Sequence, residues 1–123
     1  MRKLLIVDDE DGVRSLVRMT LESDNYQILE ATEGEQAIEM VKRHRPGLVL
    51  LDVMLPDTSG IEICRKLKSD PDTASTTIVM LTAKAQTADL EEAEAAGADG
   101  YFTKPFSPIA LMQRVERIFG AAI

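Results

Sequence analysis

Short apolar runs alternate with longer amphipathic stretches along this chain, and the alternation occurs five times. Each apolar run has the length of a strand rather than that of a helix. The runs predict five strands, at residues 4–7, 27–31, 48–51, 77–81 and 100–103. Runs one, three and four lack alternating polar positions, which is typical of strands buried on both faces of a parallel sheet.

The stretches between the runs have the periodicity of helices with one buried face. The second and third stretches begin at Thr32 and Ser59 with the spacing of a capping box. The fourth, at about residues 87–96, is weakly apolar, and Gly97 supplies its C-terminal stop. The fifth begins with Ser107 as its N-cap. A helix is therefore predicted after every strand.

The helical stripes also predict where individual sulfur-containing residues lie. Cys64 falls on the apolar stripe of the third helix, so we interpret it as a small buried hydrophobe rather than a reactive thiol. Met19, Met40 and Met112 fit the core-facing stripes of the first, second and fifth helices. We expect all four side chains to lie in the core.

Five strand–helix pairs in succession indicate one α/β domain. A strand, a helix and a further parallel strand form a right-handed crossover, and repeated crossovers place helices on both faces of the sheet. The 123 residues match the size of one domain. We therefore expect a single doubly wound domain over residues 1–123.

The chain is acidic, with 14 basic and 21 acidic side chains and a formal net charge of −7. This balance argues against direct nucleic-acid binding, which depends on clustered Lys and Arg. No apolar run approaches the ~20 residues of a membrane span, and no signal-peptide pattern occurs, so we expect a cytoplasmic protein without membrane contact. One cysteine and one histidine exclude an intramolecular disulfide and a zinc site.

Polar residues follow four of the five predicted strands at the points where the strands end. They are Asp8 and Asp9 after the first strand, Asp52 after the third, Thr82 after the fourth and Lys104 after the fifth. In an open parallel sheet, ligands bind beyond the carboxyl ends of the strands. We therefore expect three carboxylates, a hydroxyl and an ammonium at one edge of the sheet.

Three ionised carboxylates at one edge require compensating positive charge, since two carboxylates ~4 Å apart repel by about 4 kcal/mol in a partly screened environment. Oxygen ligands with room for water and phosphate favour Mg²⁺, and Lys104 would balance a further charge. An aspartate beside such a metal is a competent nucleophile toward phosphorus. Each residue alone is more typical of a helix-capping turn or a surface charge than of a metal site; their common position favours the metal site.

Four motifs occur along the chain in a fixed order. They are Val7-Asp8-Asp9-Glu10, Asp52-Val53-Met54-Leu55-Pro56 with Gly60, Thr82-Ala83-Lys84, and Gly97-Ala98-Asp99-Gly100-Tyr101-Phe102-Thr103-Lys104-Pro105-Phe106. Together they resemble the signature set of response-regulator receiver domains, over essentially the whole chain. The resemblance implies a flavodoxin-like (βα)5 sandwich with a five-stranded parallel sheet of order 2-1-3-4-5.

The resemblance also implies roles for residues at the sheet edge. Asp52 is then the phospho-acceptor, Asp8 and Asp9 are acids that bind Mg²⁺, and Met54 adds its backbone carbonyl to the metal. Because that ligand is a main-chain oxygen, an apolar side chain is no objection.

Further implied roles concern the response to phosphorylation. Thr82 and Lys104 would contact the phosphoryl oxygens, and Tyr101 would be the switching aromatic. The bond between Lys104 and Pro105 would be cis. The face formed by the fourth helix, fifth strand and fifth helix would contact a partner or a second copy of the chain.

The implied phosphoryl donor is a phosphohistidine on a sensor histidine kinase or a phosphotransfer protein, or a small acyl phosphate, and the chain would catalyse only its own phosphorylation and dephosphorylation. The alternative is a haloacid-dehalogenase-like phosphatase, which uses the same types of residue. Those enzymes place a second aspartate two residues after the nucleophile, where this chain has Met54. The sequence leaves open whether the chain is a freestanding receiver or the front end of a longer regulator.

Overall fold

Parallel pairing of five strands defines the architecture. The structure, a computed structural model, describes residues 2–23, 25–83 and 87–120. Its strands are β1 (Arg2–Val7), β2 (Tyr26–Ala31), β3 (Leu48–Asp52), β4 (Thr77–Thr82) and β5 (Gly100–Thr103). They pair in the order β2-β1-β3-β4-β5, which confirms the expected sheet.

A helix follows each strand, as the periodicity predicts. The helices are α1 (Asp11–Leu21), α2 (Gly34–His44), α3 (Gly60–Ser69), α4 (Thr87–Ala95) and α5 (Pro108–Ile118). Within the residues that the structure describes, none of these helices has the length and apolar character needed to cross a membrane.

The sheet separates two apolar cores. Helices α2, α3 and α4 cover one face, where Val41, Leu67 and Ala93 are buried. Helices α1 and α5 cover the other face, where Val17 and Leu111 are buried. Helices on both faces confirm the doubly wound architecture. The middle strand β3 is buried along its whole length, which explains why its sequence does not alternate.

The helix starts agree with the sequence in two cases and differ in a third. Ser59 caps α3 and Ser107 caps α5, each through its side-chain oxygen, as predicted. The capping box expected at Thr32 is wrong, since the N-cap of α2 is Glu33 and its side chain makes no capping hydrogen bond. Asp57 from the β3–α3 loop accepts hydrogen bonds from the first backbone N–H groups of α2 instead.

Two of the three methionines do not lie in the core. Met19 is 85% exposed and Met112 is 40% exposed, which contradicts the prediction, whereas Met40 packs against the core formed with α2. Met19 lies two residues after the buried Val17, so it points about 200° around the helix from the core stripe. A methionine near a stripe is therefore not necessarily part of it.

Cys64 is fully buried, as predicted, and its Sγ lies 3.7 Å from the carbonyl oxygen of Ala96, just after α4. Burial raises the pKa of the Cys64 thiol to about 11. The thiol is therefore protonated and unreactive at neutral pH.

Candidate functional site

The carboxyl ends of the central strands carry the residues that the sequence analysis singled out. Asp8 follows β1, and its backbone N–H continues the pairing with β2 by donating to Ala31 O at 3.1 Å. Asp52 and Thr82 are the last residues of β3 and β4. Lys104 follows β5 and donates its backbone N–H to Thr82 O at 2.7 Å. The sheet thus brings these side chains to one edge.

The ammonium group of Lys104 lies among three carboxylates. Its Nζ is 2.6 Å from Asp8 Oδ2, 3.3 Å from Asp52 Oδ2 and 3.4 Å from Glu10 Oε1. Burial alone would lower the pKa of Lys104, but the Asp8 and Asp52 carboxylates outweigh that effect and raise it. The amine is therefore charged at any physiological pH.

Asp52 is a buried carboxylate, only 6% exposed. Burial and the neighbouring Asp8 charge raise the pKa of Asp52 to about 6, against the opposing effects of Lys104 and the Met54 backbone N–H. That N–H donates to Asp52 Oδ1 at 3.2 Å. At neutral pH the group is mostly ionised but incompletely compensated, which favours a reactive nucleophile.

The acidic residues fit a hard divalent cation. Carboxylate oxygens of Asp8, Glu10 and Asp52 all lie within 4.8 Å of one another. Asp8 is fully buried, and its Oδ2 pairs with the Lys104 ammonium 2.6 Å away, which Asp52 and Glu10 also share. Three carboxylates that share one ammonium keep net negative charge, and their oxygens match the all-oxygen ligands of Mg²⁺.

Glu10 is the acid that the sequence analysis did not single out. It stands third in the Asp8-Asp9-Glu10 run, and its own backbone N–H donates to Asp8 Oδ1 at 2.9 Å. Asp9, assigned to the metal by resemblance, is exposed and is not one of the three grouped acids. The sequence could have indicated Glu10, because this acid directly follows Asp8 and Asp9 in the first motif.

An open cleft of about 420 Å³ lies above these groups. Its lining includes Asp9, Glu10, Asp52, Met54, Thr82 and Lys104. Tyr101 does not belong to this cleft. It is 45% exposed and borders a separate groove of about 430 Å³ between α4 and β5. Lys84, part of the third motif, lies outside the described residues.

The loop between β3 and α3 is held close to Asp52 by Gly60. The Gly60 N–H donates to Val53 O at 2.7 Å. A Cβ atom on Gly60 would lie 1.9 Å from the carbonyl oxygen of Asp52, so a residue with a side chain would collide with the backbone there. The Lys104–Pro105 bond, which follows β5, is cis, as the resemblance implies.

Comparison with known proteins places this geometry in a family. Residues 4–116 match the family model described as the response regulator receiver domain. The chain belongs to this family. As a receiver domain of a two-component response regulator, it is a signalling protein, and the match over nearly its whole length disfavours the haloacid-dehalogenase-like alternative.

Curated relatives of this receiver domain are transcriptional regulators. The phosphate regulon transcriptional regulatory protein PhoB of Pseudomonas aeruginosa is 44% identical over 117 residues, covering 95% of this chain and 51% of that protein. The transcriptional regulatory protein ResD of Bacillus subtilis is 43% identical over 98% of this chain and 49% of its own length. The chain therefore spans about half the length of these relatives.

Solved receiver structures have the same fold. Chemotaxis protein CheY4 of Vibrio cholerae superposes with a TM-score of 0.89 at 30% identity, covering 96% of this chain and 98% of that one. The BeF3-activated DrrB receiver domain gives 0.87 at 34%, with 98% of each chain covered. The receiver of sensor histidine kinase PA1611 of Pseudomonas aeruginosa, with magnesium in its active-site cleft, gives 0.87 at 28%, also covering 98% of each chain. These likenesses confirm the flavodoxin-like fold.

Proposed function

We propose that this receiver domain accepts a phosphoryl group on Asp52 from a phosphohistidine of a sensor histidine kinase or phosphotransfer protein. The observation that carries the proposal is the grouping of Asp52 with one ammonium and two further carboxylates, with Asp52, Glu10 and Lys104 lining an open cleft. Phosphoryl transfer needs positioning and charge neutralisation more than covalent assistance. This grouping can supply both.

In the proposed reaction, an oxygen of Asp52 forms a bond to phosphorus while the bond from phosphorus to the donor imidazole nitrogen breaks. The imidazole leaves with the electron pair and takes up a proton. Lys104, already 3.3 Å from Asp52 Oδ2, would turn its ammonium toward the incoming phosphoryl oxygens. Thr82 would donate its hydroxyl to the same group.

The cation proposed for this step is Mg²⁺. Asp8 and Asp52 would hold it, together with Asp9 and the backbone carbonyl of Met54, and Glu10 lies close enough to contribute. When bound, Mg²⁺ would neutralise negative charge on the phosphoryl oxygens. The buried Asp8 carboxylate supports this assignment, because its Oδ2 shares the Lys104 ammonium with Asp52 and Glu10, and one positive charge does not balance three carboxylates.

Intact-mass analysis after incubation with acetyl phosphate and MgCl₂ tests the proposal. We expect one added phosphoryl group on the wild type and none on Asp52→Asn or in excess EDTA. Asp72→Asn, which alters an exposed aspartate in a distant loop, is the matched control and should be phosphorylated normally. Modification that persists in Asp52→Asn would overturn the assignment.

We further propose that Thr82 and Tyr101 couple phosphorylation to the face formed by α4, β5 and α5, where a partner or second copy would dock. Moving a two-state equilibrium from 1:99 to 99:1 requires about 5.5 kcal/mol. Hydrogen bonds from Thr82 and Lys104 to a charged phosphoryl group contribute roughly 1.5–3 kcal/mol each. The groove beside Tyr101 offers room for that ring to move.

Amide exchange over residues 87–106, with and without beryllofluoride in place of the phosphoryl group, tests the coupling. The wild type should change over this whole segment. Thr82→Ala should still be phosphorylated but should respond weakly. An undiminished response in Thr82→Ala would refute the coupling and leave Asp52 as the acceptor.

A further inference from the structure

Two arginines on α1 share one carboxylate on β2. Arg14 Nε donates to Glu30 Oε1 at 3.0 Å, and Arg18 Nε donates to Glu30 Oε2 at 2.8 Å. Hydrogen bonds from Arg18 and Arg14 lower the pKa of Glu30, so it is ionised at neutral pH. Each arginine also pairs with an acid on its own helix, Asp11 for Arg14 and Glu22 for Arg18.

The two arginines differ in which backbone carbonyl their guanidinium groups reach. Arg14 Nη1 donates to the backbone carbonyl of Asp8 at 2.8 Å. Arg18 Nη2 donates to Glu30 Oε2 at 2.6 Å and to the backbone carbonyl of Ile28 at 3.2 Å, inside β2 and away from Asp8. The Arg14 side chain is also the more buried, 13% exposed against 36% for Arg18. Of this pair, Arg14 alone contacts a residue of the candidate site.

The contact from Arg14 completes the immobilisation of Asp8. The Asp8 N–H is bonded to Ala31 O on β2, and its Oδ1 accepts from the Glu10 N–H. With its carbonyl bonded to Arg14, three of its four polar atoms are held by neighbouring elements. The fourth, Oδ2, faces Lys104 and the carboxylate group. The direction of this oxygen therefore depends on the bonds to the other three atoms as well as on its own contact with Lys104.

We propose that Arg14, oriented by Glu30, is a positioning residue that aims the Asp8 carboxylate at the divalent cation. The proposal rests on the Mg²⁺ site of the proposed function. A planar guanidinium can bond the Glu30 carboxylate and the Asp8 carbonyl at once through separate N–H groups, which a lysine ammonium does less well. Arg14 acts through Asp8 and makes no contact with the cation.

Charge alone predicts the opposite effect from positioning. Arg14 is a cation close to a site for another cation, so removing its charge should by itself strengthen Mg²⁺ binding. If Arg14 positions Asp8, its removal should weaken Mg²⁺ binding despite the loss of a like charge. The sign of the change therefore distinguishes the two explanations.

Calorimetric titration of the metal-free protein with MgCl₂ provides the measurement. We expect the Kd for Mg²⁺ to rise about tenfold in Arg14→Met, which keeps an apolar stem but has no donor. Arg18→Met loses the same Glu30 partner without touching Asp8, and its Kd should change by less than about twofold. Arg14→Lys, which keeps the charge, should fall between the wild type and Arg14→Met. Unchanged or tighter binding in Arg14→Met, or equal weakening in Arg18→Met, would overturn the proposal.

A second measurement needs no metal. The Glu10 amide bonds Asp8 Oδ1, so its hydrogen exchange in EDTA should accelerate in Arg14→Met and not in Arg18→Met. If Arg14→Met does not fold, Glu30→Gln removes the orienting charge and should shift both the exchange and the Kd in the same direction by less. Normal phosphorylation of the wild type combined with an unchanged Kd in both Arg14→Met and Glu30→Gln refutes the Arg14 role alone. Failure of wild-type phosphorylation refutes the proposed function.

Discussion

Helices α3 and α4 follow the strands that end in Asp52 and Thr82, but they are anchored very differently. Helix α3 has a side-chain N-cap and buries four larger side chains, Ile61, Ile63, Cys64 and Leu67. Among the described side chains of α4, the buried one is Ala93, and Leu90 is half-buried. The two helices lie on the same face of the sheet, so they differ in the apolar side chains that they bury and not in the face that they cover.

The difference indicates which side of the site is free to respond. Burying a Leu or Ile side chain contributes about 1.5–3 kcal/mol, whereas an alanine contributes little. Displacing α3 would expose several such side chains, whereas displacing α4 would expose, among its described side chains, Ala93 and the rest of the half-buried Leu90. The proposed acceptor, Asp52, thus lies before a firmly packed helix, and the proposed switch residue Thr82 lies before a weakly packed one.

Among the changes near the firmly packed helix α3, Gly60→Ala should destabilise the protein most. The new Cβ would meet the Asp52 carbonyl oxygen at 1.9 Å, so β3 and α3 would have to separate. We expect the free energy of unfolding to fall by about 4 kcal/mol or more in urea denaturation. Gly12→Ala is the control, because a Cβ there meets no atom within 4 Å, and it should gain about 0.5 kcal/mol.

Truncating one leucine on each helix compares the anchoring directly. Leu67→Ala on α3 empties a site that is 1% exposed, and we expect a loss of about 3 kcal/mol. Leu90→Ala on the weakly packed α4 should lose less than about 1 kcal/mol. Chemical denaturation of both variants measures the difference, and equal losses would contradict the contrast between the two helices.

Asp52, at the end of the strand before α3, carries a charge that destabilises the folded protein. Its pKa is about 6 in the folded protein against an ordinary 3.8, so only the folded protein retains the proton between these values. Stability therefore decreases as the pH rises through this window. Asp52→Asn should raise the free energy of unfolding by about 2 kcal/mol near pH 8, but by little near pH 4. Unfolding in EDTA at both pH values tests this, and equal gains would argue against a buried-charge effect.

The smallest expected effect concerns Asp57, which ties the β3–α3 loop to α2. Asp57→Ala leaves the Gly34 and Glu35 N–H groups uncapped and should cost about 1 kcal/mol. Those N–H groups lower the pKa of Asp57, Gly34 contributing most. The contribution of Asp57 to the free energy of unfolding is thus present above the pKa that Asp57 has in the unfolded chain. It is lost as the pH falls through the pKa of Asp57 in the folded protein. Asp72→Ala is the exposed-loop control, and the two variants should become equally stable in acid.

Local sequence patterns predicted most of the fold. The strands lie within two residues of their predicted positions, and Ser59 and Ser107 cap the helices expected of them. These features depend on neighbours only a few positions apart, which periodicity and capping preferences describe well. The candidate site was predictable for a related reason, since the ends of parallel strands necessarily share an edge.

The features that escaped prediction join elements that are distant in the chain. Asp57 caps a helix whose first residue lies 23 positions earlier, and Arg14 meets Glu30 from 16 positions away. No local preference indicates such a contact, because it depends on which loops and helices become neighbours. The wrong prediction for Met19 has a different cause. Met19 is apolar and was assigned to the core-facing stripe of α1, but its angular position on the helix points it away from that stripe.

The single buried thiol makes the packing between α3 and the end of α4 accessible to measurement by thiol labelling. Cys64 Sγ lies against Ala96 O and has no exposed surface, so a thiol reagent can reach it only when the helices part. With one cysteine in the chain, every labelled molecule reports that same event. The rate at which Cys64 reacts, compared with and without beryllofluoride, would therefore report how readily the packing around Cys64 and Ala96 opens in the native protein.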